Sequence, residues 1–201
     1  MTQSKTQTTQ LKQLKTAYDK LSPLQQSIVQ VLSVTYEKVS RTSLIACLRK
    51  LNIRHPSGKH FVTQTLDAFM EKLRPVIVVQ KMGTPTLQCH ELFVEIATRE
   101  AIQEQRFDDI ALAVQEAIPF PHKCVNLLRE IRISFYRQDI HLVRKQIKRY
   151  EPDSQGSHPY VKIYFSIFVQ NLFFDFWSAK FILLWCKIDN DLFFGNAPNC
   201  I

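Results

Sequence analysis

Between Lys38 and Leu66 the chain has no Asp or Glu, yet the stretch carries Lys38, Arg41, Arg49, Lys50, Arg54 and Lys59 together with His55 and His60. A basic stretch without acids builds a local positive potential that attracts phosphate. Cysteine pairing is also missing. The five cysteines, Cys47, Cys89, Cys124, Cys186 and Cys200, are odd in number and include no CxxC, which speaks against a disulfide framework and for a reducing compartment, by default the cytoplasm. Residues 1–10 are polar and Thr/Gln-rich without an apolar core of signal-peptide length, so they are expected to form a disordered lead rather than an export signal. No uncharged run reaches the roughly 20 residues of a spanning helix. Even the aromatic segment from Tyr160 to Phe194 is interrupted by Lys162, Asp175, Lys180 and Lys187, so no membrane partner is expected. Its aromatic load suits a protein partner, with ordinary core as the alternative.

Catalytic arrangements are lacking too. There is no GxxxxGK[ST] loop and no acidic metal-binding box of an ATPase, and no Ser/His/Asp or Cys/His set can be assembled from spacing. Asp108 and Asp109 are adjacent, so on a helix they point apart and serve more simply as N-terminal charges. Cys89-His90 and His122-x-Cys124 match no common zinc spacing. The reading is therefore a non-enzyme with no cofactor and no metal.

What the chain does have is charge and helical pattern. It holds 26 Lys and Arg against 18 Asp and Glu, a formal +8, which suits an acidic partner such as nucleic acid; a merely solvated basic surface is the plainer account. Leu11, Leu14, Tyr18 and Leu21 recur at spacings of three and four and predict a helix from Thr9 to Leu21. Ser22-Pro23 is a helix-start signature, with Leu24, Ile28, Val31, Leu32 and Thr35 as the buried stripe of the next helix. Ser40 can cap a further helix, lined by Leu44, Ile45, Leu48 and Leu51 and ending near Asn52. His55-Pro56-Ser57-Gly58 makes a turn, and Phe61, Leu66, Phe69, Met70 and Leu73 mark a helix from near Gly58 to Leu73. Val76 to Gln80 reads as a strand, Met82 to Pro85 as a turn and Thr86 to Cys89 as the returning strand of a hairpin.

From Glu91 the pattern is helical. One stripe holds Leu92, Phe93, Ile96, Ala97 and Ile102, and another runs from Ile110 to Ile118, with a break at Arg106 to Asp109. Pro119 and Pro121 mark a boundary. Val125, Leu128, Ile131 and Phe135, then Ile140, Val143, Ile147 and Tyr150, suggest a helix pair about the turn Tyr136 to Asp139, and Glu151 to Pro159 reads as a polar linker. The expected organisation is a lead at 1–10, a first domain with trailing helices at 11–118 and a helical interaction region at 122–194. The fold class is mainly α, with the later helices α-solenoid-like or bundled. Arg129, Arg132, Arg137, Arg144, Lys145, Lys148 and Arg149 read as a solvated helix face rather than an extended DNA footprint.

The residues from Leu21-Ser22-Pro23-Leu24-Gln25-Gln26 through Thr42-Ser43-Leu44, then Phe61-Val62-Thr63 and Leu66, resemble the winged helix-turn-helix superfamily, in which three helices are followed by a β-hairpin wing. That module followed by Leu128-Arg129-Glu130-Ile131-Arg132-Ile133-Ser134-Phe135-Tyr136-Arg137-Gln138-Asp139 is similar to the N-terminal, non-motor region of large bacterial helicases of the Swi/Snf class. The resemblance implies a DNA-engaging or regulatory segment, and the motor itself has no counterpart in these residues.

On this reading double-stranded DNA is the partner, with the third helix in the major groove. Arg41, Arg49, Lys50 and Arg54 would clamp backbone phosphate. Ser57, Lys59, His60, Thr63, Gln64 and Thr65 would make closer contacts, with Gln64 suited to adenine, and Lys81 would lie near the hairpin tip. The alternatives are a protein-interaction adaptor, in which the same module is structural and the aromatic segment docks on a partner, and an accessory fragment of a helicase-type ATPase.

Overall fold

The computed structural model describes residues 2–80, 85–118, 125–139, 141–143 and 145–146. The chain divides into two compact units, Met1–Arg129 and Glu130–Ile201. The first contains α1 (Thr2–Asp19), α2 (Pro23–Thr35), β1 (Val39–Ser40), α3 (Arg41–Lys50), α4 (Thr63–Leu73), β2 (Ile77–Gln80), β3 (Thr86–Cys89), a 3-10 turn (Glu91–Phe93), α5 (Val94–Gln103) and α6 (Phe107–Ala117); α7 (Val125–Tyr136) carries the chain into the second. The fold is mainly helical with a small antiparallel sheet of order β1-β3-β2.

Helix α2 is the hub of the first unit. Ser22 caps it reciprocally: its Oγ accepts from the Gln25 amide, while Gln25 Oε1 accepts from the Ser22 amide at 3.0 Å, and Pro23 occupies the first turn. Of the expected stripe Ile28, Val31, Leu32 and Thr35 are buried and Leu24 is half-buried, and Val29, Gln30, Ser33 and Val34 are buried as well. The reason is that α5 and α6 pack on α2 in addition to α3, α4 and β3. These two helices thus join a bundle about α2 rather than stacking as a separate solenoid.

The polar side chains that this burial captures are satisfied. Gln30 is fully buried and donates to the Tyr18 hydroxyl at 3.1 Å and to Glu104 at 3.0 Å, while its oxygen accepts from Arg106 at 3.0 Å. Ser33 donates to the Gln30 carbonyl and Thr35 to that of Val31. Burial pushes the Tyr18 phenol well above its ordinary pKa, an effect its hydrogen bond to Gln30 partly offsets.

Strand β1 pairs with β3 through Val39↔Leu87 and Ser40↔Thr86, and β3 pairs with β2 from Ile77↔Cys89 to Gln80↔Thr86. The inward residues Ile77, Leu87 and Cys89 are buried and Val78 is exposed, the alternation of a sheet covered on one side. Cys89 and Cys47 are both buried, and neither forms a disulfide. Burial pushes the Cys47 thiol up from about 9 to about 11.

Several sequence expectations need correction. Helix α1 begins at Thr2, so residues 2–10, expected as a disordered lead, are helical; no Pro or Gly in them interrupts the helix. Helix α4 begins at Thr63 rather than near Gly58, because the chain folds into a tight turn first, with Gly58 at φ +79°. The break between α5 and α6 falls at Glu104–Arg106, with Gln105 at φ 58°. Phe107 is therefore a buried residue of α6, and Ile102 and Leu112, expected in apolar stripes, are exposed. Asp108 and Asp109 do lie in the first turn of α6, where negative charge complements the helix dipole.

Arg129 and Arg132 are not a solvated face. Each is buried, and Arg129 donates to Glu37 at 2.9 Å. A buried guanidinium is retained only with such compensation. In the second unit, Arg132 lies over the Tyr136 ring, 5.7 Å from its centroid. The chain turns at Arg137–Asp139 with Gln138 at φ 59°, and Asp139 Oδ1 accepts from the Leu142 amide at 2.9 Å to start the helical residues 141–143. The boundary expected at Pro119–Pro121, the linker at 151–159 and the aromatic segment lie outside the described residues.

Candidate nucleic-acid interface

The site is built on the connection between α3 and α4, which pack against each other. Helix α3 starts on a Ser40 cap, whose Oγ accepts from the Ser43 amide at 3.0 Å, and ends with Arg49 and Lys50 in its last turn. The chain reverses at Asn52, φ 52°. The turn that follows is closed by the His55 amide donating to the Lys59 carbonyl at 2.9 Å and the Gly58 amide donating to the His55 carbonyl at 2.8 Å. His55 Nδ1 accepts from the Ser57 amide at 3.2 Å and lies 2.9 Å from Ser57 Oγ. A backbone N–H can only donate, so His55 Nδ1 is the acceptor of the Ser57 amide and the ring closes the turn on itself.

An aromatic triad ties this turn to α4. The ring centroids of His55, Phe61 and Phe69 lie 5.3–5.7 Å apart, in edge-to-face geometry. Phe61 is buried, and around it Lys59, His60, Val62, Thr63 and Gln64 are all exposed. The basic turn is therefore a pinned surface.

The start of α4 is unusual. Its N-cap position is Val62, which has no side-chain oxygen, so no N-cap side chain accepts from the first amides of the helix. Thr65 works in the reverse direction, accepting from the Val62 amide at 3.0 Å and donating to the Val62 carbonyl at 2.9 Å. An uncapped helix N-terminus with no acid in its first turn leaves amides and the positive end of the dipole available to an anion.

The predicted anchors fall into different environments. Arg41 pairs with Asp67 of α4, and Lys50 pairs with Glu116 of α6 at 2.6 Å. Arg54 is turned back on the loop, donating to Asn52 Oδ1 at 3.0 Å and to the Gly58 carbonyl at 3.4 Å. Arg49, Lys59 and His60 are exposed, and no ion pair engages them among the described residues. Arg49 and Lys50 also complement the C-terminal end of the α3 dipole. Lys81 lies outside the described residues.

The carboxylates that engage Arg41 and Lys50 come from α4 and α6, outside the basic stretch, and neither they nor Val62 carry a local sequence signal for the site. A second basic surface, a groove of about 890 Å³, runs along α1 to the far end of α4, with Lys12, Lys20 and Lys72 on its walls. Among the described residues, no three His, Cys, Asp or Glu side chains come together to hold a metal ion. No described helix is long and apolar enough to cross a membrane. Comparison with known proteins finds no matching family model, no similar curated protein and no similar solved structure.

Proposed function

We propose that this chain is a non-enzymatic, cytoplasmic protein that binds double-stranded DNA through a winged helix-turn-helix, with α2, α3 and α4 as its helices and β2–β3 as its wing. The support in the fold is the succession α2–β1–α3–α4–β2–β3 and the strand order β1-β3-β2, which suit that architecture. The observation that carries the DNA reading is the uncapped N-terminus of α4 beside exposed Lys59, His60, Thr63 and Gln64, within a stretch that contains no acid. In this reading α4 enters the major groove, its amides and Lys59 hold phosphate, and Gln64 meets a base edge. Arg49 adds backbone contact. Lys50 contributes by exchanging the Glu116 carboxylate for a phosphate, a step that its exposed ion pair opposes only weakly, by about 1 kcal/mol or less, and the half-buried Arg41 by the same exchange with Asp67.

The test is anisotropy of a fluorescent mixed-sequence duplex at low and physiological salt. Binding should weaken steeply with salt, and Lys59→Ala should flatten the log–log slope by about one unit. A folded sample that binds no duplex at low salt would sink the proposal. A protein-interaction adaptor is the second reading, favoured by the internal ion pairs of Arg41 and Lys50 and by the exposure of Val78 and Leu112.

A further inference from the structure

Resting on the DNA reading, we infer that Val62 is a specificity determinant that recognises the 5-methyl group of thymine in the major groove. Val62 is half exposed while its neighbour Phe61 is buried, so the aromatic anchoring of the turn does not use it. It also stands at an N-cap, where Val is among the poorest choices and Ser, Asn, Asp or Thr would stabilise the helix. The position thus sacrifices a cap to hold an apolar, β-branched side chain in water, next to the exposed Thr63 and Gln64. Lone exposed valines are common; one that displaces a cap at the tip of an anion-ready helix points to an apolar ligand group there. In a major groove that group is the thymine methyl, the one apolar feature on any base edge. Gln64, two residues on, suits the adenine of an A·T step, so the pair would favour A·T-rich sites.

The probes are alternating duplexes of dA with dT and of dA with dU. They offer the same hydrogen-bonding groups and differ only in the 5-methyl. The wild type should bind the thymine duplex more tightly by about fourfold for each methyl covered, as expected for burial of one such group. Val62→Ser should bring the two affinities together. Because Ser is a better N-cap, this variant should keep or raise the melting temperature, so loss of folding cannot account for the effect. Equal wild-type affinity for the two duplexes would overturn the inference while leaving the DNA reading intact. Discrimination retained by Val62→Ser would overturn it too, since the preference would then stem from DNA shape. Binding to neither duplex at low salt would remove the DNA reading and this inference with it.

Discussion

Gln30 shows how much one polar side chain can hold. Buried in the middle of α2, it reaches Tyr18 on α1 and both Glu104 and Arg106 in the turn between α5 and α6, and Arg106 adds a 2.7 Å bond to Ser27. Replacing it by Leu keeps most of the volume but leaves the deeply buried Tyr18 hydroxyl without its donor, which costs about 1–3 kcal/mol. Gln30→Leu should therefore lower the urea midpoint by a corresponding amount. Tyr18→Phe combined with it should cost less than the two changes summed, because the orphaned hydroxyl is then gone. Additive losses in that cycle would show that the hydroxyl does not depend on Gln30. None of this was legible beforehand: Gln30 falls outside the apolar stripe of α2 and its partners come from distant segments. The same holds for Arg129, whose carboxylate, Glu37, lies 92 residues away. A buried arginine is rare enough that sequence pattern assigns it to the surface.

At the level of elements, what the sequence announces is what local chemistry controls. Ser22-Pro23 marks the start of α2 because cap and first-turn proline act within a few residues, and Ser40 marks α3 for the same reason. Ser22→Ala should cost about 0.5–2 kcal/mol, read as a drop in melting temperature, and since α2 touches most of the first unit the loss should appear in a single cooperative transition. A separate early transition would mean that α2 frays independently of its neighbours. The paired strands β2 and β3 were also legible, from β-branched density in the first of them. Strand β1 was not, because two residues, Val39 and Ser40, carry no alternation and pair only by virtue of tertiary position. The start of α4 escaped because its only side-chain bond at that end comes from inside the helix, through Thr65, and leaves no cap residue to recognise. For the site, the basic composition was plain in the sequence, but the division into paired Arg41 and Lys50 and exposed Arg49, Lys59 and His60 depends on where Asp67 and Glu116 fold.

Across the molecule, the groups with shifted titration among the described residues lean in one direction. Burial raises Cys47 to about 11 and lifts Tyr18 well above its ordinary range. Burial opposes the charge of Lys15, but its bonds to Glu100 and Asp19 outweigh that and raise it as well. All three bind their protons more tightly in the folded chain than in the unfolded one. The folded state then holds more protons at alkaline pH, and stability must fall as pH rises. The contribution is complete below the unfolded values, which begin near 9 for the cysteine and near 10 for the tyrosine, and it is lost as pH climbs through the folded ones. The urea midpoint, measured under reductant, should thus hold steady to about pH 8.5 and decline above about pH 9. Cys47→Ala should lower stability throughout through lost packing, yet soften the first part of the alkaline decline, since only the wild type gains a thiolate on unfolding there. A midpoint that stays level to about pH 10.5 would mean that these groups meet as much water in the folded chain as in the unfolded one, against the burial of Cys47 and Tyr18.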